Sequence, residues 1–239
     1  MAADMRKIEE YKRLVERRKS CRLCNSNLFN PAMVADGSYD SGEIGPWSLW
    51  QGNLDAQLLV VGQDWGDTLY FEKWQGKDQP SGNPTNENLQ RLLGVIGVQI
   101  GKPHEDQAQI AFFTNLILCL KSGGLQAPVK DDWFINCSRG FFKPLVEIIR
   151  PRAIIALGKK VSEWILNLYD IGYPKNGTMS EIMRHSPYQL ADATALFPLY
   201  HCGAGSVNRN RSMSEQIADW VRVKERLESK SCTLTKNNG

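Results

Sequence analysis

The stretch "LLVVGQDWGDTLYF", residues 58–71, decides how the rest of the chain is read. Four aliphatic residues in a row ending in glycine are the pattern of a short strand buried on both faces, as in the middle of a parallel sheet. Directly after the glycine come Gln63, Asp64 and Trp65, so a carboxylate and a large aromatic stand where a hydrophobic strand stops. Chains place such residues at the end of a core strand when the strand serves to aim them.

Working outward, the alternation repeats. The run 56–62 is a strand, 86–100 has helical periodicity, 109–115 ("QIAFFTN") is a second strand and "FINCSRGFFKPLVEIIR" a helix. A third strand occupies 151–158, a helix starts directly after Gly158, a fourth strand spans 194–201, and 212–230 closes the chain as a helix with Ser212 and Glu215 forming a capping box. Four strand–helix alternations predict an α/β fold: one domain over 1–230, a three-layer α/β/α sandwich around a central four-stranded parallel sheet. A charged helix over 3–19, with Ile8, Tyr11, Leu14 and Val15 on one side, precedes it, followed by a Gly-, Ser-, Asp- and Pro-rich loop to about residue 54. The polar residues 231–239 read as a frayed tail.

With 239 residues, of which 42% are hydrophobic, the chain can bury a sizeable core. No apolar run approaches bilayer length and the N-terminus has no signal-peptide pattern, so a cytoplasmic protein is expected. The net charge of +3 is unevenly spread: residues 1–24 carry eight basic against four acidic side chains, and residues 203–239 seven against four. Basic ends that meet in the fold would offer a surface to a polyanion; otherwise they are two solvated helix faces.

Six cysteines in a reducing compartment favour metal binding or buried thiols over disulfides. Cys21 and Cys24 form C-x2-C after the first helix, and Cys119 and Cys137 form a second, wider pair. Two such pairs can complete a four-thiolate shell, and the spacing fits either zinc or a [4Fe-4S] cluster. Cys202 reads as packing or site lining.

Ligands of parallel α/β sheets bind outside the carboxyl ends of the strands. Here those ends supply Gly62-Gln63-Asp64, Thr114-Asn115 and Tyr200-His201: a carboxylate, an amide and an imidazole directed to one rim. Taken singly, each has a plain alternative, Asp64 as a helix N-cap, Asn115 as a turn residue and His201 as a buried packing histidine.

A chain with "CRLC" after its first helix, G-x-D after strand one, "TN" and a nearby cysteine after strand two, "PRAIIALGKKV" as strand three and a last strand ending in His resembles the uracil-DNA glycosylase superfamily over roughly residues 21–220. The segment "TNLILCLKSGG…NCSRGFFKPLVEIIRPRAIIALG" is most similar to the iron-sulfur families, which tips the metal towards a [4Fe-4S] cluster on Cys21, Cys24, Cys119 and Cys137. "GQDWG" departs from those families and looks like the GQDPY motif of the cluster-free, uracil-specific family, with Trp65 at the proline and Gly66 at the tyrosine that excludes thymine. Where relatives carry His-Pro-Ser, this chain has His201-Cys202-Gly203-Ala204-Gly205-Ser206.

The resemblance implies a monomeric, monofunctional DNA repair enzyme that flips out and hydrolyses uracil, with no membrane partner. Asp64 and His201 would be catalytic, steadying the cation-like sugar and the departing base anion respectively. Asn115 would read the uracil edge, with Gly62, Gln63, Trp65, Tyr70 and Phe71 lining the base site and an aromatic among the last three stacking on the base. Ser206, Asn208, Arg209 and Arg211 would hold DNA through a flexible loop. Two other readings stay open: a glycosylase for hypoxanthine, xanthine or an oxidised pyrimidine, and a cluster-bearing nucleic-acid-binding module without hydrolytic activity.

Overall fold

The first helix, α1 (Met5–Ser20), buries Tyr11, Leu14, Val15 and Arg18, spaced three and four residues apart on one stripe. The computed structural model describes residues 5–24, 27–45, 54–79, 81–100, 111–124, 126–190 and 194–228, and the proposed tail and Cys232 lie outside these. Within the anticipated loop are a two-residue strand β1 (Leu28–Phe29) and a 3-10 segment, Pro31–Gly37, capped by Asn30.

The apolar runs become β2 (Leu58–Gly62), β3 (Ala111–Asn115), β5 (Ala153–Leu157) and β7 (Ala195–Leu199), every residue of which is buried. Between them in the chain come α2 (Thr68–Lys73), α3 (Pro84–Val95), the short β4 (Leu120–Lys121), α4 (Asp131–Cys137), a π-helical turn Ser138–Phe142, α5 (Lys143–Ile149), α6 (Lys159–Leu168), α7 (Met179–Arg184) and β6 (Tyr188–Gln189). After β7 follow α8 (Ala204–Arg209) and α9 (Met213–Glu228).

The sheet runs β3-β2-β5-β7-β6, with β2, β3, β5 and β7 mutually parallel and β6 antiparallel to β7. The expected four-stranded parallel sheet is thus a five-stranded, mostly parallel one. β6 escapes a periodicity reading because two residues are too few to show a period of two. β1 pairs with β4 in a separate two-stranded ribbon.

Helices cover both faces of the sheet. Leu59, Val61 and Phe112 pack with Tyr11 of α1, Phe142 of the π-helical turn and Leu145 of α5, whereas Leu58, Val60 and Phe113 pack with Leu89 and Leu92 of α3 and Trp220 and Val223 of α9. The basic first and last helices therefore belong to opposite faces and do not join in one surface. Trp133 and Trp220 are core residues, and Trp164 stacks on Phe134 at 5.1 Å.

Local chemistry sets the boundaries. Asn83 accepts from the N–H groups of Thr85 and Asn86 and Pro84 opens the helix, so α3 starts at 84 and ends at 95. Ser212 and Glu215 exchange side-chain and backbone hydrogen bonds at the start of α9, completing the capping box. The segment 203–212 is not the flexible loop expected from its glycines: residues 204–209 are helical, with Gly203 as N-cap. No helix among the described residues is long and apolar enough to cross a membrane.

Candidate active site

Beyond the carboxyl ends of β2, β3, β5 and β7 lies a cavity of about 590 Å³, within the usual range for small-molecule sites. Its lining includes Gly62, Gln63, Asp64, Trp65, Gly66 and Tyr70 from the β2 side, Asn115 from β3, and His201 after β7.

Asp64 is held at both carboxylate oxygens. The Gln63 side chain donates to Oδ2 at 2.8 Å, and Lys121 Nζ lies 3.1 Å from Oδ1. Asp64 does not cap a helix; Asp67 does, accepting from Tyr70 N–H at 2.8 Å. Lys121 was not singled out from the sequence. It sits on β4, opposite Leu28, and its N–H donates to Gly66 O at 3.1 Å, so the strand is clamped between β1 and the "GQDWG" turn. Its side chain is 3% exposed and that of Asp64 7%, so the pair is buried at the cavity wall. No sequence periodicity marks a lysine whose partner lies far away along the chain.

Gly66 has φ +145°, a conformation that side-chain-bearing residues rarely adopt. A tyrosine is therefore incompatible with this backbone, and Trp65 and Tyr70 form the wall instead. Their rings are 5.1 Å apart. The Tyr70 hydroxyl donates to Asp78 at 3.1 Å and accepts from Gln79 N–H at 3.2 Å; burial, then the charge of Asp78, pushes the phenol up to about 12. Phe71, expected beside the base, is placed elsewhere: it is 1% exposed and packs under Trp65 with Val34 and Leu120. Successive helical residues point about 100° apart, so Tyr70 and Phe71 cannot share the cavity.

Asn115, 2% exposed, has its Oδ1 buried with no hydrogen-bond donor among the described residues. His201 reaches solvent through the cavity, with Nδ1 accepting from Gly203 N–H at 3.0 Å. Crowding by protein lowers its pKa below the ordinary 6.5, the charge of Asp64 offsetting this in part. A neutral ring accepting at Nδ1 carries its proton on Nε2. Gly203 is required for this: a Cβ there would come 3.0 Å from both Nδ1 and Cε1 of His201. The start of α3 buttresses the turn, Asn88 donating to Cys202 O at 2.7 Å. Cys202 itself is fully buried, its thiol pushed to about 12, so it packs and does not line the site.

Lys159 and Lys160, after the Gly158 turn, add positive charge to the rim. The sequence offered them no separate signal inside "GKKV". Of the residues expected to hold DNA, Ser206 is half-buried, Arg209 is exposed with Nε donating to Gly205 O at 3.2 Å, and the side chain of Asn208 lies outside what is described. Arg211 is committed internally: it grips Asp219 through two bonds of 3.0 and 2.9 Å, bonds Glu215 at 3.2 Å and lies over the Tyr200 ring.

The four cysteines Cys21, Cys24, Cys119 and Cys137 line a second, smaller cavity of about 200 Å³. Asn30 fixes its rim by donating to the carbonyls of Arg18, Lys19 and Cys21, and Asn136 donates to Cys24 Sγ at 3.4 Å. Burial raises the Cys119 thiol well above its ordinary value, and the charges of Cys137, Cys21 and Cys24 raise it further. Among the described residues no three His, Cys, Asp or Glu side chains form a site for a single metal ion. Four cysteines around one cavity, one of them accepting an N–H, are a donor set that as thiolates could hold a cationic iron-sulfur core.

The profile of the family described as "Uracil DNA glycosylase superfamily" matches residues 49–223, most of the chain and all of the principal cavity's strands. The chain belongs to the uracil DNA glycosylase superfamily. Within this superfamily it is similar to the Type-5 uracil-DNA glycosylase of Pyrobaculum aerophilum, with 24% identity over 191 residues covering 77% of this chain and 76% of the relative. The matched span of the superfamily holds Asp64, Asn115, Lys121 and His201, while Cys21 and Cys24 precede it.

Proposed function

We propose that the protein is a monofunctional DNA repair glycosylase that hydrolyses the N-glycosidic bond of uracil in DNA. The observation that carries this reading is the shared cavity of Asp64, Asn115 and His201, drawn from the ends of three parallel strands. Hydrolysis separates a base leaving as an anion from a sugar becoming cation-like, so the site needs opposite charges at two nearby places. Asp64, with one oxygen on Gln63 and one on Lys121, offers a fixed carboxylate to the sugar and to the attacking water. His201 offers Nε2–H to the uracil O2 as negative charge gathers there; a donor preset in this way contributes roughly 2.7 to 4 kcal/mol.

The vacant acceptor of Asn115 suits uracil N3–H, and its amide N–H suits O4, a pattern that cytosine inverts. Tyr70 or Trp65 supplies an aromatic face for the extruded base, and Lys159 and Lys160 are suited to flanking phosphates. Cys21, Cys24, Cys119 and Cys137 would hold a [4Fe-4S] cluster, which when bound ties the end of α1 to β4 and α4. A brown protein with iron and sulfide bears this out; a colourless one with stoichiometric zinc overturns it.

The test is excision from a uracil-containing oligonucleotide followed by alkali. Strand cleavage no greater than in an undamaged control sinks the proposal. Gly66, which itself adds no side chain to the wall formed by Trp65 and Tyr70, favours a second reading in which hypoxanthine, xanthine or an oxidised pyrimidine is the better substrate. A panel of such oligonucleotides separates the two.

A further inference from the structure

Resting on the glycosylase reading, we propose that Asn86 is a further base-reading residue, its side-chain N–H donating to a carbonyl oxygen of the extruded base. Asn86 lies in the first turn of α3, is 5% exposed and lines the same cavity as Asp64, Asn115 and His201. Its Nδ2 is buried and has no acceptor among the described residues. A buried amide donor left without a partner is costly, and folded proteins keep few of them.

Two residues lining this cavity carry buried, unpartnered groups of opposite polarity: an acceptor at Asn115 Oδ1 and a donor at Asn86 Nδ2. The Asn86 backbone is held by the Asn83 cap, and the neighbouring Thr85 touches the His201 turn, its carbonyl accepting from Cys202 Sγ at 3.6 Å. The amide is thus carried on the helix that braces the histidine turn. A nucleobase bearing both an N–H and carbonyl groups matches the pair; a base without a carbonyl does not.

The experiment uses the full-length protein, uracil oligonucleotides and their 2-thiouracil and 4-thiouracil counterparts, sulfur being a poor acceptor. Excision and the affinity for a non-cleavable 2′-fluoro analogue are measured for wild type, Asn86→Leu and Asn86→Asp. In wild type, one thio substitution weakens recognition by about tenfold. In Asn86→Leu, uracil recognition falls by a similar factor and that thio penalty disappears, because the two changes remove the same bond. Asn86→Asp sets a carboxylate against the carbonyl and falls further. Melting temperature is not lowered in Asn86→Leu, since the lost donor had no protein partner.

Thio penalties unchanged in an active Asn86→Leu, or a loss of activity that merely follows a lower melting temperature, overturn the assignment while leaving the glycosylase reading intact. A wild-type protein that neither binds nor cuts any of these oligonucleotides overturns both.

Discussion

Lys121 Nζ lies 3.1 Å from Asp64 Oδ1, and neither side chain has appreciable contact with solvent. The pair joins the turn after β2 to the short strand β4. Removing one member of a buried ion pair leaves the other charge uncompensated, at a cost of about 3–5 kcal/mol. Lys121→Met is therefore expected to lower the unfolding free energy from urea titration by that order and to slow excision more than tenfold, Asp64 losing the partner that fixes its aim. Unchanged denaturation and turnover would show that the pair has no such role.

Asp64→Asn keeps the shape of the side chain and removes its charge. Excision is expected to drop by orders of magnitude while affinity for the 2′-fluoro uracil oligonucleotide stays within a fewfold, since the carboxylate acts on charge that develops only during bond breaking. An equal loss of binding would instead mark Asp64 as a substrate-holding group.

The imidazole of His201 has its pKa lowered below 6.5, chiefly because the protein packed around it displaces water on one side. Protonation at Nδ1 would set N–H against the Gly203 N–H and expel the ring from its place. The kcat/KM profile is therefore expected to stay level on lowering the pH through 6.5 and to fall only below it. Stability follows the same sign: the unfolded chain takes up the proton first, so stability present above 6.5 is lost as the pH drops. Gly203→Ala, whose methyl meets the ring, should reduce excision by roughly 10²-fold or more, as loss of a preset donor does. A profile whose acid limb lies above 6.5 would contradict the neutral tautomer.

Arg209 and Arg211 are expected to separate. Arg209→Ala should leave the melting temperature unchanged and reduce the salt dependence of DNA binding by about one unit of slope if the arginine meets a phosphate. Arg211→Ala, losing Asp219 and Glu215, should lower the melting temperature first. The reverse pattern would refute this division.

The parallel strands and the residues at their ends were legible because each fully buried strand is a short, unbroken apolar run whose last residues turn polar. Asp64, Asn115 and His201 stand out for that reason. Lys121 and Asn86 did not: a buried lysine among "CLKS" and an asparagine inside a helix have the local look of surface residues, and only partners distant in sequence show otherwise. Arg211, which reads from the sequence as a phosphate ligand, also has Asp219 as a partner eight residues on, a contact the local sequence does not announce. Phe71 and Tyr70 needed a helix start at Thr68 to be told apart, and the glycine-rich 203–209 needed the N-cap at Gly203 to be seen as helical.

The backbone at Gly66 also constrains the route by which this protein can change. With φ at +145°, and with the Gly66 carbonyl bound by Lys121, no single codon replacement installs a bulky side chain there without twisting the main chain and loosening β4. Narrowing the repertoire of bases must then come from neighbours such as Trp65 and Tyr70, so a laboratory selection for stricter discrimination should accumulate its first changes at those walls.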